Sequence, residues 1–159
     1  MLKIRILVVG LLATVLMWPQ AARRTTVISD GAALRALSKT APKVQWDKAS
    51  LIVGDITCDG RADTVFFGHS GGKVYVGLFR ASTRKVQVLE FRVGAGFQDA
   101  ICQEPAHLAL ESLDYEMDSP VEGFQKSDRC KGLILDDDTC DSLHFFWNHT
   151  TKELNWWRN

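Results

Sequence analysis

The sequence of 159 residues predicts a mainly β domain with one short N-terminal helix, arranged as antiparallel meander or sandwich sheets or as propeller-like sheets. Three observations support this fold class. Short runs in which apolar and polar side chains alternate recur from residue 51 to the end of the chain. Residues that favour turns separate these runs. The segment with helical spacing, Gly31–Leu37, precedes all of them.

Residues 1–22 are predicted to be a secretory signal peptide. Two positive charges precede an uncharged run, Ile6–Trp18, whose length of about 13 residues suits a signal sequence and falls short of the roughly 20 that a membrane-spanning helix needs. Cleavage after Ala21 or Ala22 would release residues 23–159 as one secreted or periplasmic domain without stable membrane insertion. The alternative is an uncleaved N-terminal anchor, which also exports the domain.

The four cysteines are predicted to form two disulfides, because export places them in an oxidising compartment. Four cysteines allow three pairings. The short separation of Cys130 and Cys140 across a turn favours a bridge between them, which leaves Cys58 to pair with Cys102. A zinc site is not favoured, since the sequence has no Cys-x-x-Cys pair and no histidine at matching spacing.

The charge balance argues against a nucleic-acid partner. The chain has 19 Lys and Arg against 19 Asp and Glu, and loss of the leader makes the remaining domain mildly acidic. Long basic runs are absent, and Arg23-Arg24 is more typical of a solvated end than of a binding patch.

The predicted helix covers Gly31–Leu37, with Ser29 or Asp30 as N-cap, and ends before Pro42. Two hairpins follow, introduced by turn-forming residues. The predicted strands before residue 100 are Leu51–Val53, Thr64–Phe67, Lys73–Arg80 and Lys85–Val93.

The strand Lys85–Val93 departs from strict alternation, because Val86, Val88, Leu89 and Phe91 cannot all lie on one face. This pattern predicts either a β-bulge or burial of both faces of the strand.

The second half of the domain is predicted to be a strand, a loop and a meander. His107–Leu113 is favoured as a strand, with one helical turn as the alternative, because apolar residues recur at spacings of both two and three. Asp114–Gly123 contains Pro120 and several carboxylates and is predicted to be an exposed loop. The meander strands are Gly132–Leu135, Leu143–Asn148 and Leu154–Trp157.

The segment Asp55–Asp63 has the layout of a calcium-binding turn, with oxygen-bearing side chains at positions 1, 3, 5 and 9 and a glycine at position 6. Calcium takes six to eight oxygen ligands in flexible geometry, and the glycine permits a sharp reversal. The predicted ligands are the side chains of Asp55, Thr57, Asp59 and Asp63 and the backbone carbonyl of Arg61. The alternative is a turn capped by its own side chains, which needs no ion.

Gly54–Asp63 resembles the calcium loop of the FG-GAP or integrin-α-type propeller repeat, whose pattern is DxDxDGxxD between strands. The resemblance covers roughly Leu51–Phe79, under a fifth of the chain. Position 3 is Thr57 where that family has Asp or Asn, and position 12 is Phe66 where an EF-hand has glutamate. The resemblance implies a bound calcium ion and flanking strands. It does not imply a whole propeller, because the loop occurs once.

Catalytic residues are not predicted. The sequence has no HExxH or GxSxG motif, and its cysteines are assigned to bridges. Glu111 with Asp114 or Glu116 is a carboxylate pair of the kind that glycosidases use, although some such pair occurs by chance in a chain with 19 acidic residues. The run Asp136–Asp138, with Asp141, is predicted to be a solvated turn rather than a second ion site.

The adjacent residues Trp156 and Trp157 are predicted to face opposite sides of a strand, with one exposed or at a sheet edge, and are candidates for partner binding. The sequence therefore predicts an exported, non-catalytic binding protein with a structural calcium loop that recognises a protein or cell-envelope partner. A narrower version is an inhibitor or immunity protein of a cell-wall hydrolase, by fold-level analogy. The alternative is a secreted glycan or cell-wall hydrolase that uses unrecognised carboxylates.

Overall fold

The structure, a computed structural model, describes residues 30–158 except residues 95 and 118. The predicted signal peptide, residues 1–22, lies outside the described residues. A helix of the length and hydrophobicity that a bilayer requires does not occur among them.

The described residues form one α-helix and ten strands. The helix α1 covers Asp30–Thr40, which agrees with the prediction, and a short 3-10 turn covers Lys48–Ser50. The strands are β1 (Gln45–Trp46), β2 (Ile52–Gly54), β3 (Asp63–Ser70), β4 (Lys73–Phe79), β5 (Val86–Val93), β6 (Ala100–Ile101), β7 (His107–Leu113), β8 (Ser127–Asp136), β9 (Leu143–Asn148) and β10 (Glu153–Trp157).

The strands form two sheets. Sheet A has the order β1-β3-β4-β5-β6, with β2 also paired to β3, and sheet B has the order β10-β9-β8-β7. Among these ten strands, every pairing is antiparallel except that of β5 with β6. The prediction of a mainly β fold with one short helix is confirmed, as are the two hairpins, the strand His107–Leu113 and the C-terminal meander.

The main hydrophobic core lies between the two sheets. Sheet A contributes Val76 and Phe91, and sheet B contributes Leu133 and Phe145, all of them at most 1 % exposed. The rings of Phe91 and Phe145 meet edge to face with their centroids 5.5 Å apart. Burial of a side chain of this size stabilises the fold by about 1.5–3 kcal/mol, so this layer holds the sheets together.

The helix α1 covers the other face of sheet A. Ala33 and Leu37, both fully buried, pack against Phe66 and Phe79 of β3 and β4. Sheet A is therefore buried on both faces, between the helix and sheet B.

Burial on both faces explains the irregular pattern of β5. Val86 and Val88 face the layer under α1, whereas Leu89 and Phe91 face the core between the sheets. The register between β4 and β5 runs without a shift. Of the two alternatives that the sequence left open, the structure has burial of both faces and no bulge in this strand.

Gly77 in β4 lets α1 approach the sheet closely. A Cβ atom at Gly77 would lie 2.5 Å from Leu37 Cδ2 and 2.7 Å from the Trp46 ring. We expect Gly77→Ala to lower the free energy of unfolding by about 1–3 kcal/mol, because the helix and the indole must move away. Urea unfolding would measure the change, with Gly31→Ala at the exposed helix start as control. Equal stability of Gly77→Ala and wild type would contradict this packing.

The predicted exposed loop Asp114–Gly123 has neither helix nor strand, but part of it is not exposed. Tyr115 and Val121 pack with Phe124 against the outer face of sheet B, where Phe146 is buried. The prediction was correct for the exposed charged side chains and wrong for the apolar ones, which cover the outer face of the sheet.

The disulfides join Cys58 to Cys130 and Cys102 to Cys140, with Cα–Cα distances of 5.0 and 5.8 Å. The two bridges are as predicted in number, but the favoured pairing of Cys130 with Cys140 and of Cys58 with Cys102 is wrong. Cys130 lies within β8, which continues to Asp136. An extended chain of that length spans about 20 Å, and disulfide partners need Cα atoms within about 7 Å. Closeness in sequence is therefore misleading here.

Candidate functional site

The loop between β2 and β3 makes the sharp reversal that the sequence predicts. The Asp55 carboxylate accepts hydrogen bonds from the N–H groups of Asp59 (3.1 Å) and Gly60 (2.9 Å), and the Asp59 carboxylate accepts one from Arg61 (3.0 Å). Cys58 and Gly60 have φ angles of 55° and 79°. Side chains of the loop thus cap its own backbone, as in the ion-free alternative.

Asp63 connects the loop to the hairpin between β4 and β5. Its fully buried carboxylate accepts hydrogen bonds from the N–H groups of Thr57 (2.9 Å) and Ala81 (3.0 Å). Burial raises the pKa of Asp63 above its ordinary value, and these hydrogen bonds oppose the rise. The described residues supply no salt-bridge partner for this carboxylate.

The loop is fastened to sheet B at two neighbouring points of β8. Cys58 is bonded to Cys130, and the N–H of Lys131 donates a hydrogen bond to the carbonyl of Asp55 at 2.9 Å. The loop is therefore linked to β8 of sheet B, and not to the segment around Cys102 as the predicted pairing required.

The loop has oxygen donors of the kind that calcium prefers, but their side chains are not assembled around one point. The donors are carboxylate and hydroxyl oxygens, each carboxylate oxygen has a second lone pair, and Thr57 Oγ1 is buried without a hydrogen-bond partner of good geometry. Between residues 30 and 158, excluding 95 and 118, no group of three or more His, Cys, Asp or Glu side chains is placed to hold a metal ion. Calcium would have to draw the loop carboxylates together.

The acidic turn after β8 is built around Asp137. This carboxylate, 3 % exposed, accepts hydrogen bonds from Thr139 (2.9 Å), Cys140 (2.8 Å), Gln103 (3.4 Å) and Cys102. Burial alone would raise the pKa of Asp137, but the four backbone N–H groups outweigh it and lower the pKa. The prediction of a solvated turn is wrong for this residue, which organises the backbone beside the second disulfide.

The two C-terminal tryptophans lie on opposite faces of β10, the edge strand of sheet B, as predicted. Trp156 packs against Phe91 in the main core at 5.6 Å between ring centroids. Trp157 stacks on His144 at 4.4 Å. Both indoles are half-buried in contacts within the chain, and their role in partner binding stays a prediction.

The carboxylates considered for glycosidase chemistry have separate partners. Glu111 lies 2.9 Å from His144 Nδ1, whereas Asp114 and Glu116 approach Lys126 at 3.6 and 2.8 Å. Nearby, burial and the charge of Glu111 raise the pKa of Tyr115 to about 12. The pair of Glu111 and His144 on the outer face of sheet B has no signature in the sequence, because the two residues come from β7 and β9.

A cleft that the sequence did not indicate lies between the turns of two hairpins, β4–β5 and β9–β10. Its volume is about 340 Å³. The guanidinium of Arg80 lies over the Trp147 ring, 4.4 Å from its centroid, and Trp147 is only 4 % exposed. The cleft is lined by Arg80, Lys85, Val86, Gln87, Trp147, Thr151, Lys152 and Glu153.

The cleft is positively charged. Three cationic side chains, from Arg80, Lys85 and Lys152, face one carboxylate, that of Glu153. Among the ion pairs within the described part of the chain, none includes any of these three cations. Their charge is therefore available to a ligand.

The side chain of Gln87 fixes the two walls of the cleft to each other. Its amide donates to the carbonyl of Leu154 (2.9 Å) and accepts from the N–H of the same residue (2.7 Å), which joins β5 to β10. The two hairpins come from separate thirds of the chain. Only the stacking of the sheets brings the basic residues of their turns together.

Comparison with protein-family models, curated proteins and solved structures gives no match to this chain.

Proposed function

We propose that this chain is an exported, non-catalytic binding protein that recognises a protein partner at the cell envelope. The observation that supports the proposal best is the cleft between the two hairpin turns, because it combines free positive charge with walls that are hydrogen-bonded to each other. A rigid site loses little conformational entropy on binding. The two disulfides suit an exported domain.

Within this class, we propose that the partner is a cell-wall hydrolase and that the chain is its inhibitor or immunity protein. Glycosidases place two carboxyl groups about 5–10 Å apart across the bond that they cleave. A site with three unpaired cations complements an acidic surface segment near such a centre, and complementary charge speeds encounter and disfavours wrong partners.

Assays of cell-wall lysis would test this proposal. The purified protein is expected to release no glycan fragments alone and to inhibit a glycosidase-type cell-wall hydrolase in a saturable manner. A variant that lacks the three cleft cations, Arg80→Ala/Lys85→Ala/Lys152→Ala, is expected to lose most of this inhibition.

A variant of equal charge change provides the control for that experiment. Lys39→Ala/Lys43→Ala/Lys48→Ala removes three exposed cations that do not line the cleft. Equal inhibition by the two triple variants would contradict a role for the cleft. Glycan turnover by the protein alone would instead establish the alternative, a secreted hydrolase.

We further propose that calcium binds the loop Asp55–Asp63 and stabilises it. The support is the run of oxygen donors, the buried Thr57 Oγ1 without a good hydrogen bond, and the buried Asp63, whose charge a cation would compensate. The ion would be held by the side chains of Asp55, Thr57, Asp59 and Asp63 and by the carbonyl of Arg61. Its role would be to keep the loop rigid.

Calcium at about 100 times its dissociation constant is expected to stabilise the folded protein by about 2.7 kcal/mol, because it binds the folded state alone. Thermal unfolding with calcium and with a chelator would measure this effect. Asp59→Ala is expected to abolish it, and Asp138→Ala, which removes an exposed carboxylate of the other acidic turn, is expected to leave it intact. A melting temperature that is the same in calcium and chelator would refute calcium binding.

A further inference from the structure

We propose that the cleft binds the carboxylate side chains of an acidic segment of a protein partner, and that Arg80 is the residue that engages them directly. This inference rests on the proposed function, since it names the chemistry by which the cleft would recognise its partner. The cleft volume of about 340 Å³ suits a few side chains rather than a folded element.

Arg80 is held in position without a carboxylate of its own. Its guanidinium is fixed by the stack on Trp147 at 4.4 Å, and its Nε is buried without a hydrogen-bond partner. A guanidinium binds a carboxylate through two parallel N–H···O bonds, and stacking on an aromatic ring leaves the edge of the fork available for them. Because Nε is buried, a carboxylate ligand would bind the Nη groups, which make no hydrogen bond among the described residues.

Lys85 and Lys152 extend the positive charge to both rims of the cleft. Lys85 precedes β5, and Lys152, with a φ angle of 60°, closes the tight turn before β10. The N–H of Lys152 donates to the carbonyl of Asn148 at 2.9 Å, which fixes that turn. A ligand with more than one carboxylate would contact both rims, and binding should weaken as salt rises.

The cleft favours an acidic peptide over an acidic sugar. Sugar-binding sites commonly stack a sugar ring on an exposed aromatic face, but the face of Trp147 is covered by Arg80 and the residue is 4 % exposed. The backbone of β10 at Leu154 is already bonded to Gln87. Side chains of the partner, rather than a sugar ring or an added strand, are therefore the groups that this cleft can accept.

Titration monitored by NMR would test the inference, with the assigned indole N–H signal of Trp147 as the reporter. The probes are an acetylated and amidated peptide of sequence Gly-Asp-Glu-Asp-Gly, its neutral analogue Gly-Asn-Gln-Asn-Gly, and a trisaccharide of galacturonic acid. We expect the acidic peptide to shift the signal in a saturable and salt-sensitive manner, and the neutral peptide to leave it unchanged.

Two substitutions of Arg80 distinguish the contribution of its planar guanidinium from that of its positive charge. Arg80→Ala is expected to weaken acidic-peptide binding about tenfold or more, and Arg80→Lys, which keeps the charge, to weaken it several-fold. Lys48→Ala, an exposed cation outside the cleft, is expected to have no effect. Thermal unfolding checks that each variant is folded, and Lys152→Ala provides a second test of the cleft if Arg80→Ala is not.

Each outcome decides the inference. Stronger binding of the trisaccharide than of the acidic peptide would overturn the assignment to a protein segment. No binding of either probe, or equal binding by wild type and Arg80→Lys, would overturn the role of Arg80. If the protein binds the acidic peptide but inhibits no hydrolase, the proposed function would be refuted and the cleft would stand as a site for acidic segments. If the protein inhibits a hydrolase but does not bind the peptide, and Arg80→Ala inhibits as well as wild type, the proposed function would stand and the assignment of the cleft would be overturned.

Discussion

Replacement of both Cys58 and Cys130 by serine is expected to lower the free energy of unfolding by about 4 kcal/mol, because the bridge closes a long segment in the unfolded chain. The two cysteines are 72 residues apart in sequence. The same bridge ties the loop after β2 to β8, where one hydrogen bond, from Lys131 to Asp55, would then be left to hold it. Urea unfolding of the oxidised double variant and wild type would measure the loss.

Two controls apply to this prediction. The variant Cys102→Ser/Cys140→Ser opens a segment of 38 residues, and its loss should be similar but slightly smaller, because the closure entropy depends on the logarithm of length. Peptide mapping of the non-reduced protein should recover Cys58 linked to Cys130. Recovery of Cys58 linked to Cys102 would contradict the arrangement of the two sheets described above.

The second large effect is expected for Asp137→Ala, at about 3–5 kcal/mol of lost stability. Four backbone N–H groups lose their acceptor, and a buried donor without a partner costs about 1–3 kcal/mol, partly recovered when water enters. Both residues of the second disulfide would lose a hydrogen bond, since the donors include the N–H groups of Cys102 and Cys140. Asp141→Ala, in the same connection between β8 and β9, is the control and should change stability little, because that side chain is exposed.

The charge of Asp137 also predicts how stability varies with pH. The folded state lowers the pKa of this carboxyl below the ordinary value of 3.8, so the unfolded state binds more protons in the interval between the two values. The stabilisation is therefore complete above about pH 5 and is lost as the pH falls through the lowered pKa. Asp137→Asn should flatten this acid limb of the stability curve. An equal loss of stability in the variant at about pH 3 and pH 7 would argue against the lowered pKa.

The sequence predicted those features of the fold that depend on neighbouring residues. Helix α1 follows from its apolar spacing and from Pro42, and the hairpins follow from alternation and turn residues on either side of Lys73–Phe79. The conflict within Val86–Phe91 correctly indicated that both faces of β5 are buried. Such features are local, because a helix or strand reveals its buried face through the period of its own side chains.

The features that the sequence did not predict depend on how the two sheets lie against each other. The disulfide pairing follows from the course of β8, which carries Cys130 far from Cys140 before the turn begins. The hydrogen bonds of Asp137 require Cys102, which lies 35 residues earlier. The cleft needs Arg80 and Trp147 in contact. Pairing between distant segments leaves no periodic trace in one sequence.

Hydrogen–deuterium exchange of the protein alone and in complex with a hydrolase that it inhibits would show whether a partner binds at the cleft. We expect slower exchange of the backbone amides around residues 80–87 and 147–153, which form the two walls of the cleft, and unchanged exchange in α1. Protection confined to the loop at residues 55–63, or to the edge strands β2 and β7, with none at the cleft, would contradict binding at the cleft.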